Sequence, residues 1–537
     1  MTNPLYDRLF APLAGHHRPL LSLADDTAIT GAQFLAMIHR AAGALRAFGV
    51  GAGDRVAAQV EKTPEALALY GAAIAAGAVF LPLNTAYTVA EVGYFVGDAK
   101  PRLLIAAPAR AQALASVAAE HGARLAALGV GGRGDDHCAA GGSGLDGVVA
   151  DFSASSARQS DSFVVAHRGA DDLAALLYTS GTTGRSKGAM LSHANLLSNA
   201  EALVREWRFA ENDTLLHALP IFHTHGLFVA TNVVLLGGAS MIFLPGFDLD
   251  AMLRLLPRAT VLMGVPTFYT RLLDDPRFDR AAAAHMRLFV SGSAPLLAET
   301  HQAFEARTGH RILERYGMTE TNMNTSNPYD GERRAGTVGP PLPGVEIRVT
   351  GPADGAPLPA GDTGMVEVRG PNVFKGYWNM PEKTREEFRD DGFFITGDLG
   401  RFDADGYLVL VGRQKDLIIT GGFNVYPKEV ELLLDEQPGV LESAVIGVPH
   451  PDFGEAVMAV IVPQPGARLD PDALDGVLRQ HLARYKQPKA IELVEELPRN
   501  TMGKVQKNIL RERFGDRFRI ATPSPGSDMA GARGELT

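Results

Sequence analysis

The chain has 537 residues, 46% apolar and 21% charged, enough for about three or four folding units, and its 58 Gly and 33 Pro fall short of a low-complexity composition. A net charge of −10 at pH 7 gives no electrostatic footprint for nucleic acid or anionic lipid, both of which need a concentrated basic face, and leaves room only for a local basic site. The single cysteine, Cys138, excludes an internal disulfide, a CxxC redox pair and a cysteine-rich zinc site, and fits a reducing compartment such as the cytoplasm.

In chain order, the N-terminus carries Pro4 and Asp7 where a targeting leader shows a basic run and an apolar core, so no leader is expected. Short apolar runs then recur between helical patterns: Arg55 to Val60, Leu103 to Ala107, Leu173 to Thr179, Thr214 to Ala218, Thr260 to Gly264 and Arg287 to Ser291. Strands alternating with helices predict an α/β fold of buried, mostly parallel sheets reaching to about residue 340. Two uncharged stretches, Ala66 to Leu83 and Leu227 to Phe247, have the length of a membrane span, but their internal Gly and Pro read as a helix running into a buried strand, so no span is expected. Gly131 to Ser160 reads as a surface excursion. From about 340 to 412 the pattern turns to period-2 strands split by Gly, Pro and Asp, which predicts a small antiparallel barrel or sheet and closes an N-terminal portion of residues 1–412. A compact α+β unit over 413–521 follows, with helices Pro427 to Glu436 and Pro471 to Tyr485, the second capped by Asp470. The segment 522–537, rich in Pro, Gly, Ser and Ala, reads as a disordered tail.

Three motif matches compete for the chemistry and fail on context. Gly129 to Gly134 satisfies GxGxxG, but Asp, His and more Gly follow where a dinucleotide-binding helix starts. Gly184-Arg-Ser186-Lys-Gly188 satisfies the GxSxG of serine hydrolases, but the preceding strand ends near Tyr178, too early for a nucleophile elbow. His217, His223 and His225 have no carboxylate at metal-ligand spacing, so they read as packed or substrate-contacting residues. The informative segment is Tyr178 to Gly188. Gly181 and Gly184 let backbone amides converge, Thr179, Ser180, Thr182 and Thr183 supply hydroxyls, and Lys187 supplies charge, the makings of a phosphate cradle. It is not a Walker A loop, because Lys187 precedes its glycine.

Tyr178 to Gly188 resembles the signature phosphate loop of the adenylate-forming enzymes, the superfamily of acyl-CoA synthetases, peptide-synthetase adenylation domains and luciferases. Tyr316-Gly-Met-Thr-Glu320, Thr396-Gly-Asp398, Gly412-Arg413-Gln-Lys415-Asp and Pro498 to Lys504 follow in the family's order. The resemblance implies a large N-terminal portion, a mobile C-terminal lid, and ATP, Mg²⁺ and coenzyme A as reactants. By the same resemblance Glu320 holds Mg²⁺, Thr319 donates to the α-phosphate, Glu314, Arg315 and Tyr316 lie against adenine, Asp398 accepts the ribose hydroxyls, and Arg413 adds a cation beside ribose and α-phosphate. Thr182 belongs to the catalytic loop, Lys504 reaches the α-phosphate during adenylation, and Lys415 is the lid hinge.

The segments Pro220 to Gly226, Leu262 to Thr270 and Glu314 to Asn327 resemble malonyl-CoA synthetases more narrowly. Malonate is a dianion, and its second carboxylate needs a cation, because burying it unpaired costs several kcal/mol. Arg287, at the start of the strand leading into Ser291, is the expected partner, with Arg185 and His223 as alternatives, and Thr224 and Met318 are expected near the C2 substituent. The expected reaction is ATP-dependent ligation of malonate to CoA through malonyl-adenylate. The alternatives are another short-chain or dicarboxylate synthetase, including a methylmalonate-preferring one, a hydrolase built on Ser186, or a non-catalytic nucleotide binder.

Overall fold

The computed structural model describes residues 2–129, 149–179, 186–351, 355–421, 423–500 and 503–518. The chain divides into two compact units, Met1–Leu410 with Thr501–Lys504, and Val411–Asn500 with Val505–Thr537. The expected tail over 522–537 lies outside the described residues, as does most of the Gly131 to Ser160 excursion.

Two large sheets organise the first unit. One has eight strands, ordered Asn322–Ser326, Leu313–Met318, Leu288–Ser291, Val261–Gly264, Thr214–His217, Ser240–Phe243, Pro19–Ser22 and Ala28–Thr30, parallel except at its two edges. The other has seven, ordered Ala150–Asp151, Arg124–Ala127, Leu103–Ala106, Arg55–Gln59, Val79–Pro82, Leu173–Thr179 and Lys187–Ser192, with only the last antiparallel. The central strands are apolar on both faces and buried throughout, as parallel sheets covered by helices demand. Open parallel sheets bind ligands beyond the carboxyl ends of their strands, and His217, Gly264 and Ser291 stand at three such ends.

The helix Pro64–Ala76 explains the first uncharged stretch: apolar all round, it is a core helix rather than a span. Among the described residues no helix is long and apolar enough to cross a membrane. A four-stranded antiparallel sheet, Glu346–Thr350, Gly364–Arg369, Phe394–Phe402 and Leu408–Arg413, follows, and among the described residues its strand order is an open path, the sheet of the barrel-or-sheet expectation.

The second unit is a five-stranded sheet built on the long hairpin Val440–His450 and Gly454–Pro463, joined by Ile418–Thr420, Phe423–Val425 and Ala490–Leu493. Helices Pro427–Asp435 and Pro471–His481 accompany it, and Asp470 caps the second by accepting the Asp472 amide proton. Its own core, Ile418, Val430, Leu434, Val445, Val457 and Ile461 among others, is continuous.

Candidate active site

The strand Leu173–Thr179 pairs antiparallel with Lys187–Ser192, placing Thr179 opposite Lys187. Ser180, Gly181, Thr182, Thr183, Gly184 and Arg185, the expected phosphate cradle, lie outside the described residues. Ser186 leads into a strand, whereas a nucleophile elbow requires a helix there. Lys187, expected to supply charge to the cradle, begins the second strand of that antiparallel pair. Its ammonium is buried, paired with Glu387 at 2.8 Å and lying 4.1 Å from the Tyr377 ring centroid, so its charge is already compensated inside the protein.

Glu320 reaches the same place from the tight hairpin joining Leu313–Met318 to Asn322–Ser326. Asn322 takes a left-handed φ of 50°, and a Cβ on Gly317 would stand 1.9 Å from the Asn322 carbonyl oxygen, so this turn admits only glycine there. The turn presents Thr319 and Glu320. The buried Glu320 carboxylate accepts the Thr179 hydroxyl at 3.3 Å, and the Tyr377 hydroxyl stands 3.1 Å from the same oxygen and 2.7 Å from Glu387. Burial, then the two carboxylates, keep the Tyr377 phenol protonated. With one proton for two carboxylate acceptors, the Tyr377 hydroxyl donates to Glu387 or to Glu320 but not to both at once. Tyr377 and Glu387 escaped the sequence reading because nothing local marks them; they are brought in by the fold. A single buried carboxylate flanked by hydroxyls fits Mg²⁺ held mainly by substrate phosphates. Among the described residues no cluster of three or more His, Cys, Asp or Glu is placed to form an all-protein metal cage.

On the strand Leu313–Met318 the side chains alternate. Tyr316 donates its hydroxyl to Asp398, whose backbone amide donates to Thr396 Oγ1 at 3.0 Å, so the residues expected at adenine and ribose are neighbours. Glu314 is buried beside His301 at 3.6 Å, and burial pushes its carboxyl up. Arg315, between Glu314 and Tyr316 in sequence, leaves the strand on its other face. A Cβ on Gly292 would lie 2.3 Å from the Arg315 guanidinium carbon, so the guanidinium rests directly on the Ser291-Gly292 backbone.

Arg287 corrects an expectation. Its guanidinium grips Asp213 at 2.6 and 2.7 Å and the Trp207 carbonyl at 3.0 Å. It precedes the amino end of Leu288–Ser291, whereas Ser291 stands at the carboxyl end, so Arg287 is a structural ion pair away from the pocket. The buried cation beside Ser291 is Arg315. Burial lowers it to about 9, and among the described residues its Nε and Nη2 have no hydrogen-bond partner. Thr224 Oγ1, His225 Nε2 and Ser291 Oγ are likewise buried and unpartnered. Ser293 Oγ lies 3.2 Å from His225 Nδ1, and the His225 amide donates to His223 Nδ1 at 3.3 Å, tying these residues into one cluster. Burial, then the Arg315 charge, hold His223 at about 4 and His225 well below its ordinary range, so both are neutral near pH 7. Met318 is half-buried at the end of its strand. The cluster sets the buried Arg315 guanidinium among neutral donors, an arrangement suited to an anion.

In the second unit Lys415 is exposed in the single 3₁₀ turn Gln414–Asp416, just after Arg413 ends its strand. Lys504 is exposed in an irregular segment following Gly503, which has a φ of 72°.

The family model described as AMP-binding enzyme matches residues 14–378, and that of the AMP-binding enzyme C-terminal domain matches 429–504. A feruloyl-CoA synthase from an Amycolatopsis species is 38% identical over 493 residues, 91% of this chain and 94% of that protein. A malonate–CoA ligase of Arabidopsis thaliana is 36% identical over 467 residues, 81% of this chain and 74% of that protein. The crystal structure of ATP-bound MatB from Rhodopseudomonas palustris superimposes with a TM-score of 0.92 at 57% identity, covering 97% of this chain and all of that one. The chain therefore belongs to the adenylate-forming AMP-binding enzymes and is an AMP-forming acid–thiol ligase.

Proposed function

We propose that this ligase activates malonate. The observation that carries the reading is Arg315, a buried guanidinium with two unpartnered donors that rests on the Gly292 backbone next to Ser291 and acts electrostatically on His223 and His225. An acid with an uncharged tail leaves those donors unmatched, at a cost of about 1–3 kcal/mol or more. An acid with a second carboxylate on the next carbon supplies the missing partner, and the neutral histidines add donors without adding charge.

In the proposed reaction one malonate carboxylate oxygen attacks the α-phosphorus of ATP and pyrophosphate leaves, giving malonyl-AMP. The CoA thiol then attacks the acyl carbon, its proton passes to solvent, and AMP leaves with the electron pair of the broken C–O bond. Arg315 fixes the distal carboxylate and so orients the reacting one. Thr319, Tyr316 and Asp398 are proposed for the nucleotide, with the Ser180 to Arg185 loop. Glu320 would hold Mg²⁺, which supplies charge neutralisation on the phosphates when bound. Lys504 is proposed to neutralise the α-phosphate in adenylation and Lys415 to act as the hinge, both by family resemblance. Pyrophosphate release measured with malonate, methylmalonate, acetate, sulfoacetate and ferulate tests the reading. Malonate should give the highest kcat/KM; a preference for acetate or ferulate would remove malonate as the substrate, and a preference for sulfoacetate would keep the anion site and change its ligand.

A further inference from the structure

His217 ends the strand Thr214–His217 inside the first unit, and its two ring nitrogens have different partners. Nε2 lies 3.0 Å from the carbonyl oxygen of Gly226, which can only accept, so Nε2 carries the proton. Burial holds His217 well below its ordinary range, so the ring is neutral and Nδ1 is bare. Nδ1 therefore needs a donor, and Lys62 Nζ provides it at 3.0 Å while also donating to the His217 carbonyl oxygen at 2.8 Å.

Lys62 comes from the other sheet of that unit, in the link between Arg55–Gln59 and Pro64–Ala76. Among the described residues no carboxylate pairs with it; its remaining contact is the Phe243 ring, 4.5 Å from centroid to Nζ. A lysine turned inward without a counter-charge costs stability, which points to a use for it. Gly226, at the far end of the chain of hydrogen bonds, sits where a Cβ would be 2.1 Å from the Pro220 carbonyl oxygen, so the turn Pro220 to Gly226 is closed as tightly as a backbone allows. Thr231 Oγ1 also donates to the Gly226 carbonyl at 3.0 Å. The same short turn carries His223, Thr224 and His225.

We infer that Lys62 is a positioning residue for the acyl pocket: by donating to His217 Nδ1 it fixes the tautomer whose Nε2–H anchors Gly226, and so sets where Thr224 and His225 stand. The inference rests on the acyl-pocket reading of those residues but not on which acid fills the pocket. Loss of one such hydrogen bond is modest in energy and acts on substrate placement rather than on the nucleotide.

The test uses the full-length enzyme and whichever acid the wild type turns over fastest, so that a wrong substrate assignment appears in the wild type and a wrong role for Lys62 only in variants. Lys62→Met should raise the KM for that acid about 5- to 20-fold, a hydrogen-bond-sized loss, with the KM for ATP within about twofold of wild type. His217→Phe keeps a ring beside Phe243, which it meets edge-on at 5.5 Å, and deletes both nitrogens. It should show the same acid-selective loss, and the double variant should be no worse than His217→Phe alone. Unchanged acid KM in Lys62→Met, equal loss for acid and ATP, or additive effects in the double variant would each overturn the inference. Should Lys62→Met fail to fold, the acid-to-ATP KM split in His217→Phe decides it, an equal loss for both again overturning it.

Discussion

At the scale of single residues, the proposed acyl pocket turns on Arg315. Arg315→Met removes the guanidinium and keeps apolar volume over Gly292, so kcat/KM for malonate should fall about 30- to several-thousand-fold, the loss of a charge partner in a desolvated site, while acetate falls far less. Equal loss for both acids would make Arg315 structural. The same comparison on Arg287→Met should show no selectivity between the acids, because that guanidinium is spent on Asp213. Tyr377 acts at the other end of the site. Tyr377→Phe removes the hydroxyl between Glu320 and Glu387, and should raise the Mg²⁺ concentration for half-maximal pyrophosphate release several-fold, with Mn²⁺ binding by paramagnetic resonance weakened alongside it. Wild-type affinity by both measures would show that Glu320 needs no such support.

At the scale of elements, the parallel strands were legible because a strand buried on both faces is a continuous apolar run bounded by turns. The runs at Arg55, Leu103, Leu173, Thr214, Thr260 and Arg287 all became strands. The tight hairpin that presents Thr319 and Glu320 is local in sequence, so its turn residues could be read directly. Arg287 was misplaced for the opposite reason: strand position says which residues share a face, but not that Asp213 from a distant turn neutralises this arginine while a bare Gly292 backbone receives Arg315. The N-terminal strand Pro19–Ser22 went unread since its parallel partner, Ser240–Phe243, is more than two hundred residues away, and Ala28–Thr30 is only a three-residue edge strand added antiparallel to it. Helix boundaries follow local chemistry, and His193–Glu206 is a case. Ser192 at its start accepts the Asn195 amide while the Asn195 side chain accepts the Ser192 amide, a capping box at the end of the strand Lys187–Ser192. Ser192→Ala should lower stability by about 1–2 kcal/mol in denaturant unfolding. The KM values for acid and ATP should stay at wild type, since the strand Lys187–Ser192 is held by its ladder to Leu173–Thr179; a rise in ATP KM would mean that the cap positions the loop as well.

At the scale of the whole molecule, the two units should respond to acid in opposite senses. In the first unit burial lowers His193 and His223 to about 4 from an ordinary 6.5, and holds His217 and His225 well below their ordinary range. A histidine whose folded pKa is depressed takes up its proton in the unfolded chain first, so between about 6.5 and 4 the unfolded state binds more protons. The stability these residues confer is complete above pH 6.5 and is lost as pH falls towards 4, by at most about 3 kcal/mol for His193 alone. In the second unit burial raises Asp435 to about 6 from 3.8, so its folded form binds the extra proton and its contribution is present at low pH and lost as pH rises through 6. Scanning calorimetry from pH 7.5 down to 4.5 should therefore show the transition of the larger unit falling steeply while that of the smaller holds or rises. His193 offers the single-residue control, because it is fully buried and neither ring nitrogen has a partner among the described residues. Replacing it with Phe should leave a flatter acid limb and a transition at pH 5 closer to that at pH 7.5. An acid limb as steep as that of the wild type would mean that the carboxylates ion-paired in the first unit, such as Asp213 and Glu387, govern acid unfolding; these have depressed pKa values and release their stability only below about pH 4, so the onset pH of the loss separates the two causes.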